Sequence, residues 1–248
     1  MRAFCKLVIV QSKLFFREPA AFFFTLVFPV FLLVVFGAIF GNEIDPQYNS
    51  QYGYIDSEVP GLAGIIIATI AFLGIPVNTA TLREQRILRR FRATPLPPLL
   101  YLMADLVVYF GMAIVGMVLL VIVGTLLFNL RFAGNWLSIL LAFTLSALSF
   151  FAVGYLVASL APTSRVATVI GNVLFFPMMF LSGATFPLEI MPERVRQVSD
   201  LLPLTHVVKL LQNLWFGGTF AEQFAQVAVL LVLLVVGTAL SAKLFSWE

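Results

Sequence analysis

Long apolar stretches alternate with short polar ones along this chain, and the polar intervals carry most of the information. From Ala20 to Gly41 no residue is charged. A helix of that length rises ~33 Å, enough for a ~30 Å hydrocarbon layer. Pro29 lies within it and predicts a kink, with neighbouring helices left to satisfy the carbonyl it frees. Similar stretches recur, so the pattern predicts spans at 20–41, 59–82, 99–130, 136–160, 166–183 and 224–242. Gly61, Gly64 and Gly74 in the second would let another helix come close. The expected fold is therefore an all-α polytopic membrane protein, one transmembrane domain over 1–248 with six transmembrane helices.

The intervals differ from one another. In residues 1–18, Arg2, Lys6, Lys13 and Arg17 fall within about 60° of a helical wheel, and the remaining surface is mostly apolar. That predicts an N-terminal amphipathic interfacial helix with its charges toward water. Residues 42–58 hold Glu43, Asp45, Asp56 and Glu58 with no lysine or arginine, an acidic loop. Residues 184–222 are too long for a turn and too unevenly polar for a span. Pro187, Pro192 and Pro203 break them up, Glu189, Glu193 and Asp200 come early, and apolar Leu201–Phe216 runs into Gly217-Gly218. Outer re-entrant helices between spans five and six fit this stretch, shielded by the other spans.

The interval after the second span is the most distinctive. Residues 83–92 contain five arginines, and Ala93-Thr94-Pro95-Leu96-Pro97-Pro98 follows. On a wheel, Ile87, Leu88 and Phe91 share an arc that includes Glu84, while Arg83, Arg86 and Arg90 occupy the next. The expectation is a short cytoplasmic amphipathic helix with one acid among its apolar residues. It serves either as a topogenic loop that fixes orientation or as a docking surface for a soluble partner. With six spans both termini share a side. Eleven of the fifteen basic residues fall on that side with 83–92, and eight of the twelve acids fall on the other. Both termini are then cytoplasmic in a multi-pass inner (cytoplasmic) membrane protein.

Composition narrows the function. The chain is 61% hydrophobic and 11% charged, against about 25% charged in soluble domains. The net charge of +3 sits beside the spans and does not imply nucleic acid. The single cysteine, Cys5, excludes an internal disulfide and a cysteine-rich metal site. It reads as a packing residue, with lipidation the alternative. The first apolar run is too long for a signal-peptide core and is expected to stay as a span. No G-x-x-x-x-G-K-[ST], G-x-S-x-G or H-E-x-x-H occurs, so no catalytic residue, cofactor or metal site is assigned. Ser182-Gly183 with His206 lacks the glycine of a nucleophile motif, and His206 reads as an outer-interface residue. Asp105 is the one carboxylate within a span, a possible intramembrane polar site. A salt bridge to a nearby arginine is the expected use, and a transport role the alternative.

Four places resemble the membrane subunits of type-2 ABC exporters, the family that includes daunorubicin-resistance permeases and nodulation-factor exporters. They are Arg17-Glu18-Pro19 with Phe28-Pro29 and Phe36-Gly37; Arg83-Glu84 through Arg92-Ala93-Thr94-Pro95; Leu181-Ser182-Gly183-Ala184-Thr185-Phe186-Pro187 with Met191-Pro192; and Leu202-Pro203-Leu204-Thr205 leading to Gly217-Gly218. Arg86, Arg89 and Asp105 depart from the family, which often has glycine, an acid and lysine there. The resemblance implies a half-transporter. Two copies, identical or paralogous, form the pathway, and a separate cytoplasmic ABC ATPase docks beneath each at 83–92, binding the ATP and Mg. It implies export of a drug, lipid or other amphipathic small molecule. Glu84 would pair with a basic group of the ATPase. A lipid-linked polysaccharide exporter, an ion-coupled secondary carrier and a membrane scaffold that tethers a soluble partner are the alternatives.

Overall fold

The computed structural model describes residues 2–44, 52–87 and 98–244, and every regular element among them is helical. Helix α1 is Arg2–Arg17. Helix α2 joins Pro19–Phe22, a π turn at Phe23–Val27, and Phe28–Phe40. Helix α3 joins Tyr54–Thr69, a π turn at Ile70–Gly74, and Ile75–Glu84. Then come α4 (Pro98–Phe128), α5 (Trp136–Leu160) and α6 (Ser164–Leu181). A 3-10 turn at Leu188–Ile190 leads to α7 (Glu193–Ser199), α8 (Pro203–Trp215) and α9 (Phe224–Leu244). Six of these helices, α2 to α6 and α9, are long and apolar enough to cross a membrane. That is the number the apolar pattern predicts.

Helix α3 is the axis of the bundle. In its most apolar window 89% of residues are buried, against 17% in α9 at the periphery. A proline in α3 and two glycines in its neighbours bring this about. Pro76 has no N–H to offer the carbonyl of Phe72, and α3 absorbs the missing bond with the π turn at Ile70–Gly74. Pro29 does the same in α2, where Thr25 loses its donor and Phe23–Val27 forms the turn. The carbonyl oxygen of Phe72 then lies against Gly171 of α6, and that of Ala71 against Gly154 of α5. A methyl group at either glycine would overlap the oxygen. The helices therefore meet backbone to backbone, where Cα–H groups give weak donors to carbonyls.

The start of α3 departs from the sequence expectation of 59. It begins at Tyr54, so Asp56 and Glu58 lie on the helix and not in a polar loop, and both are buried. Asp56 sits in the first turn, where the helix dipole favours an acid, and accepts the Gly53 N–H at 2.9 Å. It also accepts from Asn42 Nδ2 (2.9 Å) and the Arg131 N–H (2.7 Å), and pairs with the Arg131 guanidinium at 3.7 Å. One carboxylate thus holds the ends of α2 and α4 to the start of α3. Between α6 and α9, helix α8 turns a buried face of Leu204, Val207 and Val208 toward Gly64 of α3. Trp215 at its end donates to the Arg131 carbonyl at 3.0 Å. Helix α9 lies along α5, where Ser149 Oγ donates to the Leu230 carbonyl at 2.8 Å.

The same substitution at two glycines separates close packing from helix propensity. Gly154→Ala is expected to lower the thermal unfolding midpoint of the purified protein, at an overpacking cost of about 1–3 kcal/mol. Gly111→Ala, which meets nothing within 4 Å, should leave the midpoint unchanged or raise it.

Candidate coupling site

Arg83 and Glu84 do not begin a separate helix. They form the last turn of α3, which ends at Gln85 as Arg86 enters the left-handed region at φ +57°. Ile87 follows, half-buried. Leu88, Arg90 and Phe91, with the rest of the expected amphipathic segment, lie outside the described residues. The left-handed turn at Arg86 ends α3, so the helix that holds Arg83 and Glu84 does not run on as one through 83–92.

Both first residues are spent within the chain. Arg83 Nη2 donates to the Ala158 carbonyl at 2.8 Å and to that of Ala161, the final acceptors of α5. Glu84, expected to wait for a basic group of a partner, instead accepts from the Ser164 N–H at 3.0 Å and the Ser164 hydroxyl at 2.8 Å. Thr163 caps α6 alongside it, accepting the Val166 N–H at 3.2 Å. A cation thus covers the negative end of α5 and an anion the positive end of α6, each the favourable sign for its dipole. The Arg-Glu pair is a clasp between the end of the central helix and the α5–α6 turn. Arg86 and Arg165 remain exposed beside it.

The residues expected on the interfacial helix divide cleanly. Lys6, Lys13 and Arg17 are exposed on α1, next to exposed Ile9, Leu14 and Phe16. The side chain of Arg2 lies outside the described set. The opposite face carries Gln11 and Phe15, both buried, and Phe15 meets Tyr109 of α4 edge-on at 6.4 Å.

Asp105 is 4% exposed, and among the described residues its partner is a tyrosine and not the arginine expected. Tyr155 of α5 donates its hydroxyl to Oδ2 at 3.0 Å. Gln11, Asn78, Tyr101 and Tyr109 join it around a cavity of about 60 Å³ close to the basic end of the bundle. Four helices, α1, α3, α4 and α5, thus meet at one polar point. His206 on α8 is half-buried. Burial first, and Lys209 second, hold its imidazole below the ordinary value.

Among the partners, the α6 cap was legible in Thr163-Ser164 ahead of an apolar run. Tyr155 carried no signal, since a tyrosine in a span is unremarked until its neighbour is known.

The ABC-2 type transporter family model matches residues 2–216. Nodulation protein J of Rhizobium leguminosarum bv. viciae is 31% identical over 113 residues, 44% of this chain and 44% of that protein. The probable multidrug ABC transporter permease YbhS of Escherichia coli (strain K12) is 25% identical over 188 residues, 75% of this chain and 48% of that one. The inner membrane transport permease YadH of the same strain is 24% identical over 214 residues, 85% and 83% of the two chains. The chain spans about half the length of the first two relatives.

Removing one hydroxyl tests the Asp105 point. Tyr155→Phe takes the donor from a buried carboxylate and is expected to cost about 1–3 kcal/mol, read as a lower unfolding midpoint. Thr144→Val, which removes an exposed hydroxyl from the same helix, should leave the midpoint nearly unchanged.

Proposed function

Because this chain belongs to the ABC-2 type transporter family, we propose that it is the permease subunit of an ATP-driven exporter, powered by a separate ABC ATPase docked on the side that carries 83–92. The observation that carries the reading is that the segment starts inside α3, with Arg83 and Glu84 forming the helix's last turn. A push delivered beyond Arg86 is a push on the helix against which the bundle is packed. The clasp on Ala158, Ala161 and Ser164 hands the same displacement to α5 and α6. An element that joins a docking surface to the bundle axis suits conversion of ATPase closure into rearrangement of the spans. The chain's lack of a P-loop supports an engine on another subunit.

Two copies of the permease, identical or paralogous, would enclose the path. The excess of basic residues on the side of 83–92 supports a cytoplasmic location for that segment and for both termini. The length of α8 alongside the first half of α3 supports the re-entrant reading of 184–222. The cargo class is a drug, lipid or other amphipathic small molecule. A multidrug permease among the relatives supports it, as do the apolar side chains Phe23, Phe24 and Phe31 left exposed on α2.

The clasp gives the test. In vesicles holding the permease with its ATPase, Arg83→Ala and Glu84→Ala should leave the complex assembled and cut ATP-dependent transport at least about tenfold, a loss of about 1.4 kcal/mol of coupling. Full transport in both variants would end the coupling role. Orientation has its own reading: a membrane-impermeant maleimide should label Cys5, exposed on α1, in inverted vesicles and not in intact cells.

A further inference from the structure

At the end of the bundle opposite the clasp lies a cavity of about 340 Å³, between the start of α3, the turn after α6, helix α8 and the start of α9. That is the low end of the range for small-molecule sites, ~300–1,000 Å³. Its polar lining is unbalanced. Glu58 Oε1, Asn213 Oδ1 and Gln223 Oε1 are all shut away from solvent with no hydrogen-bond partner, and all three residues line this cavity. Glu58 itself is only 4% exposed. The Asn213 amide is oriented by its other end, since Nδ2 donates to Glu222 Oε2 at 3.3 Å. Its oxygen is therefore the atom left over.

Of the donors at this end, Tyr54 already bonds the Glu58 side chain and leaves Oε1 unmet, and three more are committed elsewhere. Lys209 lines the cavity but holds Asp200 at 2.6 Å. Gln212 donates to the Ser57 carbonyl at 3.0 Å. Arg131, at the same end of the bundle, is engaged with Asp56. Buried acceptors, one of them on a carboxyl group, are rarely left unmet. What is missing is a group with several N–H donors and a positive charge. A bare divalent cation would want six or more oxygens. Phe216 and Leu188 add an apolar wall suited to a carbon frame.

We propose that this cavity binds an organic ammonium group, with Glu58 as its counter-charge and Asn213 and Gln223 as its hydrogen-bond acceptors. The binding is a property of this chain alone. Only the role of the ligand, as amine-bearing cargo held at the outer end of the path, rests on the export reading.

Dansylcadaverine, a fluorescent primary amine, and its N-acetylated neutral form are the probes, titrated into the purified permease without ATPase or ATP. The amine should bind at least about tenfold tighter than the acetylated form, about 1.4 kcal/mol. Glu58→Gln, which keeps the shape and removes the charge, should abolish that preference. Gln223→Leu, at a partly exposed position, should weaken amine binding severalfold and keeps the test open if Glu58→Gln does not fold. Equal binding of the two probes by the unaltered protein would overturn the proposal, as would an unchanged preference in both variants. A permease that binds the amine selectively but moves nothing with its ATPase would count against the export reading and leave the site standing.

Discussion

In lipid, burying apolar side chains gives helices little reason to associate, so close backbone approach must do much of the work. Here the approach is made by α3. Its π turn, imposed by Pro76, turns two carbonyls outward, and Gly154 and Gly171 let α5 and α6 close on them. Remove the proline and the turn has no cause. Fill the glycines and the carbonyls have nowhere to go. Helices α2, α4 and α8 also pack on α3, so most of the bundle is arranged around it.

A helix so placed transmits force only if its ends are held. Charged groups hold both. At one end Asp56 gathers Asn42, Gly53 and Arg131 into a single buried node. At the other, Arg83 and Glu84 cap the ends of α5 and α6. The two ends differ in character. Asp56 itself is 0% exposed, so the bonds it accepts draw strength from low dielectric. Glu84 is exposed, so its bonds to Ser164 compete with water and open at lower cost. The stiff end adjoins the cavity at Glu58, and the looser end adjoins the turn at Arg86.

The six spans were legible because lipid imposes a length and an absence of charge that few soluble folds share. What escaped was everything decided by distant residues. Asp56 and Glu58 read as loop acids because a helix N-terminus accepts acids as readily as water does. Asp105 read as an arginine's partner, when its hydroxyl donor stands fifty positions later, at Tyr155. The arginine wheel assumed one helix through 83–92, and the left-handed turn at Arg86 breaks it after its first turn. No periodicity announces such a break at an arginine.

That break changes where a partner is to be sought. A docking surface must offer groups that are not already used, and Arg83 and Glu84 are used. If the proposed docking holds, the unused groups at this end include exposed Arg86 and Arg165. This separates two jobs that a single amphipathic helix would have merged. On the proposed reading, meeting the partner would be left to the chain past the turn, while the two residues before it hold the bundle. Partner specificity could then drift by changes past Arg86 without loosening the clasp, whereas a change at Arg83 or Glu84 acts on the spans whatever the partner is.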